Sequence, residues 1–301
     1  MSRKGLLLLI ASGLAWGIPY LLIRIAVGQF DVASVVLARV VIGGALLLPF
    51  AIRQKAFLPA LKQWRWVLAF ALLELVGPWF LITSGEKSLS SSLSGLLVAT
   101  VPLWAVILGF FFFGDRSLTN PKSLAGFGLG FIGVALLVGI DAFSGHLNIT
   151  AAIGVLLAAV GYAIAPALAD RKLRDVPASG VMTLSMMIVA VIYAVPGLSG
   201  FVRVLGGPVA TQPNWSGWAA LVILGAVCSS LAFLIFFALI REVGSIRATL
   251  TAYLNTAIAI LLGVVFLNEP LTLGITIGFP LVLIGSYIAS RKHQESPEHQ
   301  G

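Results

Sequence analysis

The sequence predicts an all-α membrane protein of ten transmembrane helices, arranged as two inverted five-helix repeats with the N- and C-termini cytoplasmic. Three observations predict it. First, apolar residues make up 59% of the 301 residues and charged ones only 10%, with a mean hydropathy of +1.05. A soluble domain carries about a quarter charged residues to keep its surface wet. Second, apolar runs of about 20 residues recur along the whole chain, matching a ~30 Å hydrocarbon core at 1.5 Å per helical residue. Third, the two halves of the chain resemble each other. The runs do not alternate apolar and polar as barrel strands would, so helices are the spanning element.

Taken in order, the spans fall at roughly 5–27, 31–50, 64–84, 89–113, 122–140, 150–170, 177–199, 215–240, 245–267 and 272–290. The first run follows Arg3 and Lys4 and is long enough to be retained as a helix rather than removed as a signal peptide. Connections are short, and the longest contains Gly206-Gly207-Pro208 and Pro213. This divides the chain into repeat 1 (1–147), repeat 2 (148–290) and a disordered cytoplasmic tail (291–301). Lys and Arg favour the cytoplasmic side of a membrane. With the N-terminus inside, the outer ends carry only Arg24, Lys87 and Arg203 of the 19 Lys and Arg; Arg39 lies within a span and the rest fall inside.

The net charge of +8 is spread over short loops, so no nucleic-acid patch is expected. One cysteine, Cys228, excludes an internal disulfide, and three histidines, two of them in the tail, leave no expected metal site. Gly128-Leu129-Gly130-Phe131-Ile132-Gly133 matches a dinucleotide fingerprint in letters only. It lacks the preceding strand, so close helix packing through small residues is the expected reading.

The internal similarity is specific. Gly126-Phe127-Gly128-Leu129-Gly130-Phe131-Ile132-Gly133 and Gly278-Phe279-Pro280-Leu281-Val282-Leu283-Ile284-Gly285 share G-F-x-L-x-x-I-G. Upstream, Ser91 corresponds to Ser245, Leu96 to Leu250, Phe112 to Phe266 and Asp115 to Glu269; Asp31-Val32 corresponds to Asp175-Val176. Each half has an odd number of spans, so the second enters the membrane inverted, a recurring plan of secondary transporters.

On these residues the chain resembles the drug/metabolite transporter superfamily in its ten-helix, EamA-type branch. The carriers are Gly263 through Leu271, including Asn268-Glu269-Pro270, with Gly278 and Gly285, and in the first half Val101-Pro102-Leu103, Gly109, Gly114-Asp115, Gly126 and Gly133. Arg39 also looks like that family's arginine; Asp115 stands where glutamate is more common. The resemblance is closest to bacterial aromatic amino-acid exporters. It implies a bacterial inner-membrane, multi-pass, monomeric protein that exports amino acids by alternating access and uses no cofactor.

Several residues are candidates for that work. Trp16, Trp79, Trp104, Tyr162 and Tyr253 fall at mid-span, away from the interfacial belt, and offer apolar and π contacts. Thr83, Asn255 and Thr256 offer hydrogen bonds, and Pro19, Pro78, Pro102 and Pro166 kink their helices and free carbonyls. Arg39 and Glu74 are charges at bilayer depth, where charge is costly and is paired or functional. They are read as an ion pair or carbonyl contact, a proton-coupling site at Glu74, or contacts to a substrate carboxylate and ammonium. Asp115 and Glu269 are read as helix caps or interfacial anchors. A multidrug, quaternary-ammonium or other metabolite exporter is the alternative function, and a membrane scaffold without transport is the third reading; with no deep histidine and no Ser/Lys pair at depth, an intramembrane enzyme is not expected.

Overall fold

The computed structural model describes residues 2–113, 121–143, 148–208, 212–243 and 251–290. Asp115, Ser245 and the 291–301 tail lie outside the described residues. Every regular element among those described is helical. The long ones are α1 (Arg3–Val27), α2 (Val32–Arg53), α3 (Trp64–Gly85), α4 (Ser91–Phe111), α5 (Pro121–Phe143), α6 (Ile149–Lys172), α7 (Ala178–Leu205), α8 (Trp215–Val243), α9 (Thr251–Leu267) and α10 (Leu273–Ser290). Seven helices are long and apolar enough to cross a membrane, and the apolar stretches Ser123–Val138, Thr251–Leu267 and Leu273–Ile288 are shorter.

Polar caps start several of these helices. Ser2, Ser90 and Asn148 accept backbone N–H groups three residues on, and Asn214 accepts those of Ser216 and Gly217. Such caps satisfy amides that have no partner inside the helix. The outward faces are apolar: Val191, Val195, Leu198 and Val202 of α7 follow helical spacing and are all strongly exposed. In water such a stripe would be an association hazard, and in a bilayer it is the lipid-facing surface.

The structure departs from the sequence reading inside the helices. α3 and α8 are not uniform: each contains a π-helical turn, Leu72–Val76 in α3 and Ala226–Leu231 in α8. α4 is broken after Val98 and resumes at Val101, and a short helix, Phe57–Lys62, fills the α2–α3 connection. Hydropathy averages over such irregularities and does not register them.

Neighbours in space come from opposite halves of the chain. α5 packs on α10, α2 on α7, α4 on α9, α1 on α8 and α9, and α6 on α3 and α4. The α5–α10 contact explains the doubled glycine motif. A side chain at Gly133 would strike Leu281 Cβ at 2.8 Å and the Val282 backbone nitrogen at 2.8 Å, and one at Gly278 would strike the Gly133 carbonyl at 2.9 Å. At Gly285 it would run into the Gly130 backbone. Backbones this close require glycine, which is the small-residue packing expected of that segment.

Candidate functional site

One polar cluster of the helix core is built on α2, α3, α6 and α8. Arg39 is buried, 8% exposed, on α2. Its Nε donates to Ser229 Oγ at 2.8 Å, a residue of the α8 π-turn, and its guanidinium lies 3.6 Å from the centroid of the Trp79 ring on α3. Ser229 Oγ in turn donates to the Leu224 carbonyl at 2.9 Å. The π-turn places Ser229 there, since one wider turn rotates its side chain out of ordinary register; π-turns recur at functional sites for this reason. Arg39 thus ties α2 of the first half to α8 of the second. Among the described residues its two terminal amino groups make no hydrogen bond.

Tyr162 on α6 packs against the same core as Trp79, and both Glu74 and Arg39 act on its phenol electrostatically. Glu74 sits in the α3 π-turn, and its Oε2 is buried with no hydrogen-bond partner among the described residues. Arg39 and Glu74 form no salt bridge with each other; the described ion pairs are Lys4–Glu242 and Arg203–Asp31. Of the readings open for the two residues, the ion pair is not made among the described residues, where the guanidinium is turned onto Trp79 and Ser229. Cys228 of α8, Tyr20 of α1 and Glu86 also act electrostatically on Arg39.

The other candidates fall in different places. Trp16 packs edge-on to Phe233 of α8 at 5.6 Å and against Phe236 at 4.6 Å, and Phe233 touches the core that holds Trp79. Thr83 is buried on α3, one turn beyond Trp79. Trp104 is separate: it donates to Thr100 Oγ1 at 3.1 Å and meets Phe131 of α5 edge-on at 5.7 Å. Tyr253, Asn255 and Thr256 lie on α9, against α1 and α4, and Thr256 spends its hydroxyl on the Ala252 carbonyl at 3.0 Å. The aromatics expected at one midplane site are thus divided between the Arg39 cluster and helix packing elsewhere.

A second polar constellation joins the ends of α9 and α4. The Glu269 carboxylate accepts Ser91 N at 2.7 Å, Ser91 Oγ at 3.1 Å, Ser92 N at 3.0 Å and Ser92 Oγ at 2.6 Å. Ser90 Oγ takes Leu93 N at 3.1 Å, so the first three amides of α4 are all satisfied. Asn268, in the left-handed region at φ 52°, ends α9 and swings Glu269 across; asparagine tolerates that conformation better than most residues. The expected capping role of Glu269 is what the contacts describe. Nearby, Glu86 is fully buried with both carboxyl oxygens unpartnered among the described residues, while Arg24 donates to its backbone carbonyl. Sequence reasoning missed Glu86, Tyr20, Ser91, Ser92 and Ser229. Only Glu86 left a visible signal, as a carboxylate at a span end.

The comparisons with known proteins agree with this architecture. A family model described as EamA-like transporter family matches residues 3–139 and again 149–291. The chain belongs to the EamA-like transporter family. The "Uncharacterized inner membrane transporter YedA" of Escherichia coli strain K12 is 27% identical over 299 residues, covering 96% of this chain and 94% of that protein. The "Uncharacterized transporter YvbV" of Bacillus subtilis strain 168 is 25% identical, covering 95% of this chain and 91% of that one. A solved crystal structure with a TM-score of 0.64 and 21% identity covers 96% of this chain and 97% of that chain, which shows the fold. An EamA-family protein with these apolar helices is a multi-pass membrane protein of a transporter family, and a small-molecule substrate follows from that membership.

Proposed function

We propose that this EamA-family chain is an inner-membrane secondary transporter that exports amino acids, aromatic and other apolar ones among them, by alternating access between two inverted five-helix repeats. Residues 1–147 and 148–290 are the repeats, both termini and the 291–301 tail are cytoplasmic, and the unit is a monomer. The observation that carries this reading is Arg39, a buried cation in α2 of one half, held by Ser229 of the other half and faced by Trp79. A charge at that depth is costly unless it is used.

Three further observations support it. The α3 and α8 π-turns begin 154 residues apart, at the offset that relates Ser91 to Ser245 in the sequence. Several helix contacts between the halves map onto one another when the halves are exchanged: α1–α9 maps to α6–α4, α1–α8 to α6–α3, and α2–α7, α4–α9 and α5–α10 map to themselves. The bacterial relatives carry transporter names, and that of Escherichia coli names the inner membrane.

The experiment is efflux. Cells or liposomes loaded with labelled phenylalanine are expected to lose it faster when the protein is present, and unchanged efflux and unchanged resistance to toxic amino-acid analogues would refute export. Glu74, whose Oε2 is buried with no hydrogen-bond partner among the described residues, favours a quaternary-ammonium exporter as the second reading. A Glu74→Gln protein that still confers resistance to quaternary ammonium compounds would count against it.

A further inference from the structure

The connection between α2 and α3 is basic and apolar at once. Residues 32–73 contain no Asp or Glu, so Arg53, Lys55, Lys62 and Arg65 face no acid of their own segment. The connection is docked on the start of α7. Ala56 and Ala60 are fully buried, Ser179 Oγ donates to Gln54 Oε1 at 2.8 Å, and a side chain at Gly180 would run into the Ala56 backbone. Lys55, in the left-handed region at φ 52°, turns the chain from α2 into the short helix Phe57–Lys62. With Ala56 and Ala60 facing the protein, Leu58, Leu61 and Trp64 are left 68%, 46% and 51% exposed.

An open cavity of about 290 Å³ lies where the connection enters α3, lined by Lys62, Gln63, Trp64, Arg65 and Trp66. The cations around it are placed by rings. Arg65 Cζ lies 5.7 Å from the Trp64 ring centroid, and Lys172 Nζ, from the end of α6, lies 4.8 Å from that of Trp66. A ring face attracts a cation without neutralising it, so the positive charge stays available to an anion. Among the described residues Lys62, Arg65 and Lys172 enter no ion pair, although Asp170 and Asp175 flank Lys172 in sequence. Gln63 gives α3 no side-chain cap, so the first amides of that helix add donors at the same place. The cavity sits at the first turn of a span, Trp64–Gly85, and so at the depth of lipid headgroups.

We propose that this cavity binds the headgroup of an anionic phospholipid, its phosphate held by Lys62 and Arg65 with Lys172 beside it, and its acyl chains against Leu58, Leu61 and Trp64. The bilayer is a partner that a multi-pass chain always has at that depth. The match is in two parts: cations outside any described ion pair meet the phosphate, and exposed apolar side chains meet hydrocarbon. Tryptophan, an apolar ring with one N–H, suits the boundary between them. Lys62 and Arg65 belong to the first family-matched segment and Lys172 to the second, so a bound headgroup bridges the start of α3 and the end of α6. The site is independent of what the protein transports and in which direction.

The test is lipid selection by the purified full chain. Native mass spectrometry reads which lipid the protein retains from detergent micelles holding equal amounts of phosphatidylglycerol and phosphatidylcholine. Wild type is expected to favour phosphatidylglycerol about tenfold or more, and Lys62→Gln and Arg65→Gln each to cut that preference about fivefold, the scale of one cation near an anionic headgroup. Both side chains are exposed, so the variants keep the fold. A Lys87→Gln/Arg203→Gln protein loses two exposed cations at the far ends of α3 and α7 and is expected to keep the full preference. Millimolar inorganic phosphate is expected to leave phosphatidylglycerol bound, because it offers no chains to the apolar side chains. Equal retention of the two lipids by wild type overturns the site, whatever the variants do. An unchanged preference in Lys62→Gln and Arg65→Gln overturns it too, and so does an equal loss in Lys87→Gln/Arg203→Gln, which would make the preference one of diffuse charge. Displacement of the lipid by inorganic phosphate would assign the cavity to a free anion and overturn the lipid assignment.

Discussion

Ser92 Oγ donates to Glu269 Oε2 at 2.6 Å, and the Ser92 amide reaches the same oxygen at 3.0 Å, across 177 residues of sequence. One carboxylate oxygen thus fastens the end of α9 to the first turn of α4. The helix dipole of α4 adds to the attraction, since negative charge is favoured at a helix N-terminus. Gly263 makes room for the contact, because a side chain there would collide with Glu269 and Ser92.

Removing that carboxylate therefore strips two amides and two hydroxyls of their acceptor. Glu269→Ala is expected to lower stability by about 2–3 kcal/mol, and Glu269→Gln by less, since it keeps one acceptor oxygen. Denaturant unfolding in micelles measures this. A Glu269→Ala protein that unfolds with wild type would show the four contacts to be incidental.

The α5–α10 seam gives a contrast between glycines of one motif. Gly285→Ala is expected to cost about 1–3 kcal/mol, because its new methyl meets the Gly130 backbone, which has no rotamer to yield. Gly128→Ala is expected to be neutral or slightly stabilising, since nothing lies within 4 Å of its added carbon and alanine favours the helix. Thermal unfolding of the two variants side by side distinguishes packing from sequence pattern.

The aromatics divide in the same way. Trp79→Leu removes the ring over Arg39 and is expected to reduce transport about tenfold or more, the scale of a desolvated cation–π contact. Trp104→Phe keeps the packing against Phe131 and loses only the Thr100 hydrogen bond, so transport is expected to stay within about twofold. Initial efflux rates at matched expression decide between them. Equal loss in both would join Trp104 to the site.

The exposed pair Arg203–Asp31, 3.1 Å apart, supplies a negative control. Both side chains are in contact with solvent or headgroups, and such pairs contribute about 0–1 kcal/mol. Arg203→Ala is expected to leave the unfolding midpoint nearly unchanged.

Helical class, apolar runs and the doubled glycine motif were legible in the sequence because each depends on local composition and spacing. Gly133 and Gly285 could be read as packing residues without knowing what they touch. Arg39 and Glu74 were legible as costly charges, yet not their partners: Ser229 is 190 residues from Arg39 and reaches it only through a π-turn that leaves no hydropathy signal. Trp104 and Trp79 look alike in sequence, and only the neighbouring helix separates them. Glu269 was legible as a cap, while Ser91 was legible only as the repeat counterpart of Ser245 and Ser92 not at all, because their partner at the α9 end lies more than 170 residues away.

Amino-acid export is tested most directly in proteoliposomes of purified protein loaded with labelled phenylalanine. Wild type is expected to release label faster than protein-free liposomes and than Arg39→Gln, with release saturating in internal phenylalanine. Release indistinguishable from protein-free liposomes, for phenylalanine and for other amino acids alike, would contradict it.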